Sequence, residues 1–376
     1  MAALLSDIAA PRIASAVFVR TKLMQRSSSV CCLWIALLLW TASLLGLAQE
    51  APQPAPGPPS QGSHSTPPDF SQARKLMQQG KLDEAIAELQ ALEASDPNTK
   101  GLDLELGTAY YKKSDYVKAI AFLKKATVSD PSNGEAAQLL GLSYYLNGYP
   151  AQAIPLLEKV QGWYPRANVD ASYILGICYI QTKDYSGARK AFAKMFDVPP
   201  DSAASYLFTA RMLFRQEFDP VAEEYAQKAA ALDPKLPLAH FLLGELYLYK
   251  SRIPEAIAEF QKELAINPGH AAAYYKLADA FSRVQKFEDA ERLLQRSIWL
   301  DATSTGPFIL MGKVLEKKGE FELAVRALQR AATMDPNNPT THHLLGQAYR
   351  DMGRKEEAEN ELRLAEQLQT TQDSRP

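Results

Sequence analysis

From residue 66 onward, apolar side chains fall at spacings of three and four, the pattern of residues that share one face of a helix. The pattern itself repeats. Nine alanines, Ala85, Ala119, Ala153, Ala188, Ala222, Ala256, Ala290, Ala324 and Ala358, recur every 34 residues, with one interval of 35 between Ala153 and Ala188. Twelve residues before each stands a glycine or another alanine: Ala73, Gly107, Gly141, Gly176, Ala210, Gly244, Ala278, Gly312 and Gly346. An apolar residue precedes this small one in most units (Leu106, Leu140, Leu175, Leu243, Leu277, Met311, Leu345), and another follows three later (Leu76, Tyr110, Tyr144, Tyr179, Leu213, Tyr247, Phe281, Leu315, Tyr349). These positions predict a first helix per unit. A turn follows, with Gly80, Gly148, Gly319 or Gly353 at its centre in four units, and then a second helix with the alanine on its inner face.

Twelve residues after most of the alanines a proline (Pro97, Pro131, Pro165, Pro200, Pro234, Pro268, Pro336) ends the second helix, because it has no N–H to donate and disfavours helical backbone in the residue before it. The seventh unit carries Ala302 instead, which leaves room for a local bend. Pro220 and Pro254 fall at the start of second helices, where proline is tolerated, and Pro155 is expected within a first turn.

This template resembles the tetratricopeptide repeat family, whose pattern is L-G-x-x-Y, then A, then F, then P. The resemblance implies an all-α protein, a right-handed α-solenoid of about nine helix-turn-helix repeats: 66–99, 100–133, 134–168, 169–202, 203–236, 237–270, 271–304, 305–338 and 339–372. The position the family usually fills with Trp holds Asp69, Asp103, Ala137, Ser172, Tyr206, His240, Tyr274, Phe308 and His342, so packing there is expected to be uneven and weakest in the first repeats. Stacking between neighbours should supply the stability, with the end units as caps.

Two segments precede the array. Residues 30–48 form an uncharged apolar run behind Arg20, Lys22 and Arg26, with Gly46 and Ala48 before a potential cut at Gln49. Residues 1–48 are therefore expected to be a secretory signal peptide or, since the run approaches the length that spans a bilayer, an N-terminal membrane anchor. Met24 is an alternative start. Residues 49–68 are proline-rich, with almost no bulky apolar side chain, and read as a disordered linker. Either reading of the leader places the repeats outside the cytoplasm, in the periplasm or secreted, or else held at the inner membrane by residues 30–48.

The formal charge of −2 includes a leader of net +3, so the remainder is mildly acidic and gives no electrostatic reason to expect nucleic acid as a partner. Beyond the leader only Cys178 remains, inside a first helix, where a buried inert thiol is expected. The histidines offer no zinc-protease spacing, and there is no C-x-x-C, G-x-S-x-G or phosphate loop. No catalytic residue, cofactor site or metal site is therefore assigned, and the chain is read as non-enzymatic.

The resemblance implies that first helices line the concave surface. In the third to sixth units its exposed side should carry Leu139, Leu142, Tyr145, Leu146, Tyr173, Ile174, Ile177, Ile180, Leu207, Phe208, Phe214, Phe241, Leu242, Leu248 and Tyr249. In the seventh to ninth it passes to Tyr275, Lys276, Asp279, Arg283, Lys313, Glu316, Lys317, His343, Gln347, Arg350 and Asp351. Leu142, Tyr145, Tyr173, Ile177, Ile180, Phe208, Phe214, Phe241, Tyr249, Arg283, Lys313 and Arg350 are the candidate partner-binding residues. The apolar stretch has two readings: a site for an apolar peptide or amphipathic helix, or side chains buried by curvature or self-association. A carrier of a small apolar ligand would use the same surface. The Asn-rich ladders of family members that clamp chaperone carboxylates or transfer sugars are missing, since the ladder position reads Ser71, Glu105, Leu139, Ile174, Phe208, Leu242, Lys276, Leu310 and Leu344. The expected function is a protein-interaction scaffold, by analogy of fold in a bacterial envelope or secretion assembly.

Overall fold

The computed structural model describes residues 69–163, 169–216 and 219–373; the leader, the linker and Pro165 lie outside them. The described residues hold eighteen helices and no strand, paired as nine hairpins: α1 (Ser71–Gln78) with α2 (Leu82–Ser95), α3 (Leu102–Lys112) with α4 (Tyr116–Ser129), α5 (Gly134–Leu146) with α6 (Pro150–Trp163), α7 (Val169–Gln181) with α8 (Tyr185–Met195), α9 (Ala203–Arg215) with α10 (Asp219–Leu232), α11 (Ala239–Tyr249) with α12 (Ile253–Ile266), α13 (Ala271–Arg283) with α14 (Phe287–Leu300), α15 (Thr305–Lys317) with α16 (Phe321–Met334), and α17 (Pro339–Asp351) with α18 (Lys355–Asp373). Each helix packs on the ones before and after it in sequence, so this is an all-α repeat solenoid.

The small residues set the spacing within hairpins. A Cβ placed on Gly176 would lie 2.2 Å from Cε1 of Phe192, sixteen residues on in α8, and one on Gly244 would lie 2.5 Å from Phe260. The large residue of the second helix thus occupies the space the glycine leaves. In the fifth unit the equivalent residues are Ala210 and Ala226, both fully buried, so two alanines stand where the fourth and sixth units place glycine and phenylalanine.

The turns use one backbone solution with and without glycine. Gly80, Gly148, Gly319 and Gly353 have φ between +77° and +82°, and Ser114, Lys183, Ser251 and Gln285 fill the same slot at +58° to +65°. In each case the N–H of the residue after the left-handed one reaches back five residues, as Lys286 N does to the Phe281 carbonyl at 2.9 Å. Sequence inspection found only the glycines because left-handed backbone at a polar residue costs little enough to be tolerated where the turn is otherwise fixed.

Helix starts carry side-chain caps: Asn133, Ser202 and Asn338 accept from the backbone three residues on in first helices, and Asp115 and Asp184 do so in second helices. Without a terminal proline the seventh unit still stops at Leu300, because Asp301 turns extended and accepts from both the backbone N–H and the hydroxyl of Thr303, at 2.8 and 2.6 Å. Pro155 departs from its expected place. It is the sixth residue of α6, in the second turn, because the helix already begins at Pro150. The Ala151 carbonyl therefore loses its helical donor.

Neighbouring units are joined by a recurring polar contact. Gln90 donates to the Tyr110 hydroxyl at 3.1 Å, Gln227 to Tyr247 at 3.1 Å and Gln329 to Tyr349 at 2.8 Å, each from a second helix to the first helix of the next unit. Where the donor is replaced the contact persists in another form: the Lys124 ammonium lies 5.5 Å from the Tyr144 ring centroid, and Tyr179 donates to Glu158. The two histidines in the family's Trp position also link neighbouring units. His240 places one ring nitrogen 2.6 Å from Glu259 and the other 3.3 Å from the Pro234 carbonyl, and His342 does the same with Glu361 and Pro336 at 2.6 and 2.9 Å. Each thus ties its own second helix to the turn that ends the preceding unit.

Candidate protein-interaction surface

The exposed side of the first helices is built from positions two and three before the small residue and one, four and five after it. Its apolar half, in the third to sixth units, divides by burial. Ile177 and Ile180 are 1 % and 0 % exposed, and Leu207, Leu242 and Leu248 are also buried. These five pack in the continuous core of the middle units and are not available to a partner. They sit where neighbouring first helices close over them, a distance that helical register does not fix. The structure therefore removes Ile177 and Ile180 from the accessible surface and divides the apolar stretch between its two readings.

The others remain reachable. Leu139, Leu142, Tyr145, Leu146, Tyr173, Ile174, Phe208, Phe214 and Phe241 are half-buried, and Tyr249 is 64 % exposed. Ring contacts fix several of them. Phe208 meets Phe196 edge-on at 4.2 Å, Phe214 meets Tyr249 at 5.8 Å, and Phe241 lies 4.6 Å from the His270 ring. Held rings present apolar surface without having to be ordered on binding, which favours association. The Tyr145 hydroxyl is pushed up to about 12, first by burial and then by Cys178 and Tyr173, so it acts only as a neutral donor or acceptor at ordinary pH.

Behind this surface Glu263 is completely buried. It accepts from the Leu238 N–H through both oxygens, at 3.2 and 3.0 Å, and faces His270 at 3.1 Å. The carboxylate thus holds Leu238 at φ +72° where α11 begins, and positions the His270 ring against Phe241.

The charged half is more open. Arg283 pairs with Asp279 at 3.0 Å and Lys276 with Glu245 at 3.2 Å, while Lys313, Lys317 and Arg350 are exposed and make no ion pair among the described residues. His343 is exposed and contacts only Gln347, at 2.9 Å, on its own helix. Sequence reading missed Arg211 and Arg215 in the apolar half. Arg215 stands five residues after its small residue, the place of Arg283 and Lys317, so aligning that position across the units finds it. The surface is therefore apolar with a cationic edge. Among the described residues no group of three metal-binding side chains occurs, and Cys178 is buried with its thiol pushed up to about 12 by desolvation.

Comparison with known proteins accounts for the repeat. The tetratricopeptide repeat model matches residues 70–134, 184–237, 210–271 and 241–307, and further models of the same repeat match 312–353 and 339–371. The chain belongs to the tetratricopeptide repeat family. As such it is a protein-interaction scaffold of a family whose members are generally not enzymes. Residues 112–195 also match the model of anaphase-promoting complex, cyclosome, subunit 3. No curated protein matches the chain. Among solved structures, MamA is 22 % identical over 44 % of this chain and 97 % of its own, with TM-score 0.42. The Cut9-Hcn1 tetramer of the APC/C is 19 % identical over 74 % and 54 %, and YrrB, a TPR protein with an unusual peptide-binding site, is 23 % identical over 49 % and 94 %, both with TM-score 0.42. Among the described residues no helix is long and apolar enough to cross a membrane.

Proposed function

We propose that the array captures a peptide or helix of a protein partner on the first-helix face of its third to sixth units, as part of a bacterial envelope or secretion assembly. The observation that carries this is the row from Leu142 and Tyr145 through Tyr173, Phe208, Phe214 and Phe241 to Tyr249, left half-buried or exposed on consecutive first helices. An unpartnered apolar row of this kind marks an interaction surface. A helix offering apolar side chains at spacings of three and four fits it, and acidic residues on that helix would meet Arg215 at the edge. The leader exports the array, and the mass of the mature N-terminus distinguishes a cleaved signal from a retained anchor.

The test is Phe214→Asp with Tyr249→Asp, which changes the reachable part of the surface and leaves the buried Ile177 and Ile180 in place. Crosslinking in cells followed by mass spectrometry is expected to lose a partner from the double variant while helicity by circular dichroism is kept. Identical captures from both proteins would reject the first-helix face as the site.

A further inference from the structure

The opposite face of the array, made by the second helices, carries a feature that the proposed function does not use. Between α14 and α16 lies a shallow hollow of about 310 Å³, with Ile298, Phe308, Met311 and Leu323 among its apolar lining and Arg326 and Arg330 on its rim. Leu323 is 45 % exposed, at a position, one before the marker alanine, that is charged in five of the other units (Glu84, Lys118, Glu255, Asp289, Glu357). On the next stripe of α14, Trp299 is 72 % exposed with the Arg296 guanidinium stacked 4.2 Å from its ring centroid. An exposed tryptophan and leucine beside an apolar hollow are more than a solvated helix face requires.

Of the charges around it, three guanidiniums and one carboxylate are left without an ion pair among the described residues. Glu291, also on the rim, is engaged by Lys318 at 2.6 Å, and Lys318 is shared with Glu320 at 2.8 Å. Glu322 stands one turn before Arg326 without an ion pair to it among the described residues. Arg296, Arg326 and Arg330 likewise make no ion pair among the described residues, and a guanidinium is the group best shaped to grip a carboxylate through two hydrogen bonds.

We propose that this hollow is a second docking site, for a short acidic segment of a partner protein that inserts one leucine- or phenylalanine-sized side chain between α14 and α16 while its carboxylates meet Arg326 and Arg330. The two sites lie on different helices, so each can be occupied or lost without the other.

The test uses the full-length protein and three short fluorescein-labelled peptides: a central Leu-Phe pair flanked by Asp and Glu, the same pair flanked by Lys, and Ser-Ser flanked by Asp and Glu. By fluorescence anisotropy the acidic Leu-Phe peptide is expected to bind about tenfold more tightly than either control, with the preference weakening as salt is raised. Arg326→Glu with Arg330→Glu, both on the surface and with circular dichroism as the folding control, is expected to remove that preference, while Phe214→Asp with Tyr249→Asp leaves it intact. No binding, equal binding of acidic and basic peptides, or indifference to the arginine changes would overturn the proposal. Loss through Phe214 and Tyr249 would move the peptide to the first-helix face. Self-association of the protein alone that the arginine changes abolish would make the occupant a second copy, whose terminal helix α18 is acidic and exposes Leu364, and would equally overturn a separate partner.

Discussion

Adding one methyl group at Gly176 should set α7 against α8. The new Cβ would stand 2.2, 2.4 and 2.7 Å from three ring carbons of Phe192, where ordinary contact begins near 3.4 Å. The ring has nowhere to go: it is fully buried, with Tyr173 at 6.3 Å and Phe208 at 5.2 Å between centroids. The helices must therefore part by about an ångström, an overpacking that costs about 1–3 kcal/mol. Alanine's better helix propensity returns about 1 kcal/mol, so Gly176→Ala should destabilise by about 0–2 kcal/mol net. Phe192→Ala alone opens a cavity and should cost about 3–5 kcal/mol. In the Phe192→Ala background the obstacle is gone, and Gly176→Ala should stabilise by about 1 kcal/mol, a coupling of about 1–3 kcal/mol. The fifth unit already holds this pairing as Ala210 and Ala226. Because a repeat array need not unfold in one step, urea denaturation should be followed together with hydrogen exchange in α7 and α8. Equal destabilisation in both backgrounds would show that the ring does not set the spacing.

Three further outcomes follow from the site and the turns. Cys178 should resist a disulfide reagent at pH 8 in the folded protein and react fully once urea is added, since burial raises its thiol to about 12; rapid reaction under native conditions would contradict its placement. Burial opposes ionisation of Glu223, but hydrogen bonds and charge from Lys250 and Arg252, at 2.6 and 2.9 Å, outweigh it and hold the carboxyl below its ordinary value. A depressed folded pKa gives stability that is present above the unfolded value of about 4.3 and lost as pH falls through the folded one, so Glu223→Gln should flatten the fall of melting temperature below about pH 5, and an unchanged acid limb would exclude the linkage. Gln285→Gly, at φ +60° and exposed, should raise stability by about 0.5 kcal/mol, whereas Gly148→Ala in the same slot should lower it by about 1 kcal/mol; thermal melts that show the same sign for both would remove the turn argument.

The hairpins were legible because their requirements are local. A small residue, an alanine twelve residues on, and a large side chain such as Phe192 or Leu123 must occur at set spacings for two helices to touch, and spacing is what a sequence displays. In the other turns the left-handed residues Ser114, Lys183, Ser251 and Gln285 could not be picked out, since a polar residue announces no backbone angle. The accessible surface was only half legible. Register put Ile177, Ile180, Phe208 and Tyr249 on one side of their helices, but whether a side chain is covered depends on how closely the next first helix approaches. That distance belongs to the assembled array, and it buried the isoleucines while leaving Tyr249 in solvent. The hollow beside Leu323 was hidden for a related reason, since it is bounded by three helices and appears in no single helix pattern.

The glutamine–tyrosine contacts make some units exchangeable parts and others not. Excising residues 305–338 would bring Gln295 opposite Tyr349, a donor and an acceptor that suit each other as Gln329 and Tyr349 already do. Excising residues 237–270 would instead bring Gln227 opposite Phe281, which has no oxygen to receive it. The length of such an array can therefore change by whole units during evolution, but the places where a unit is cut out or copied in without a mismatched seam are already written in the residue that faces each ring.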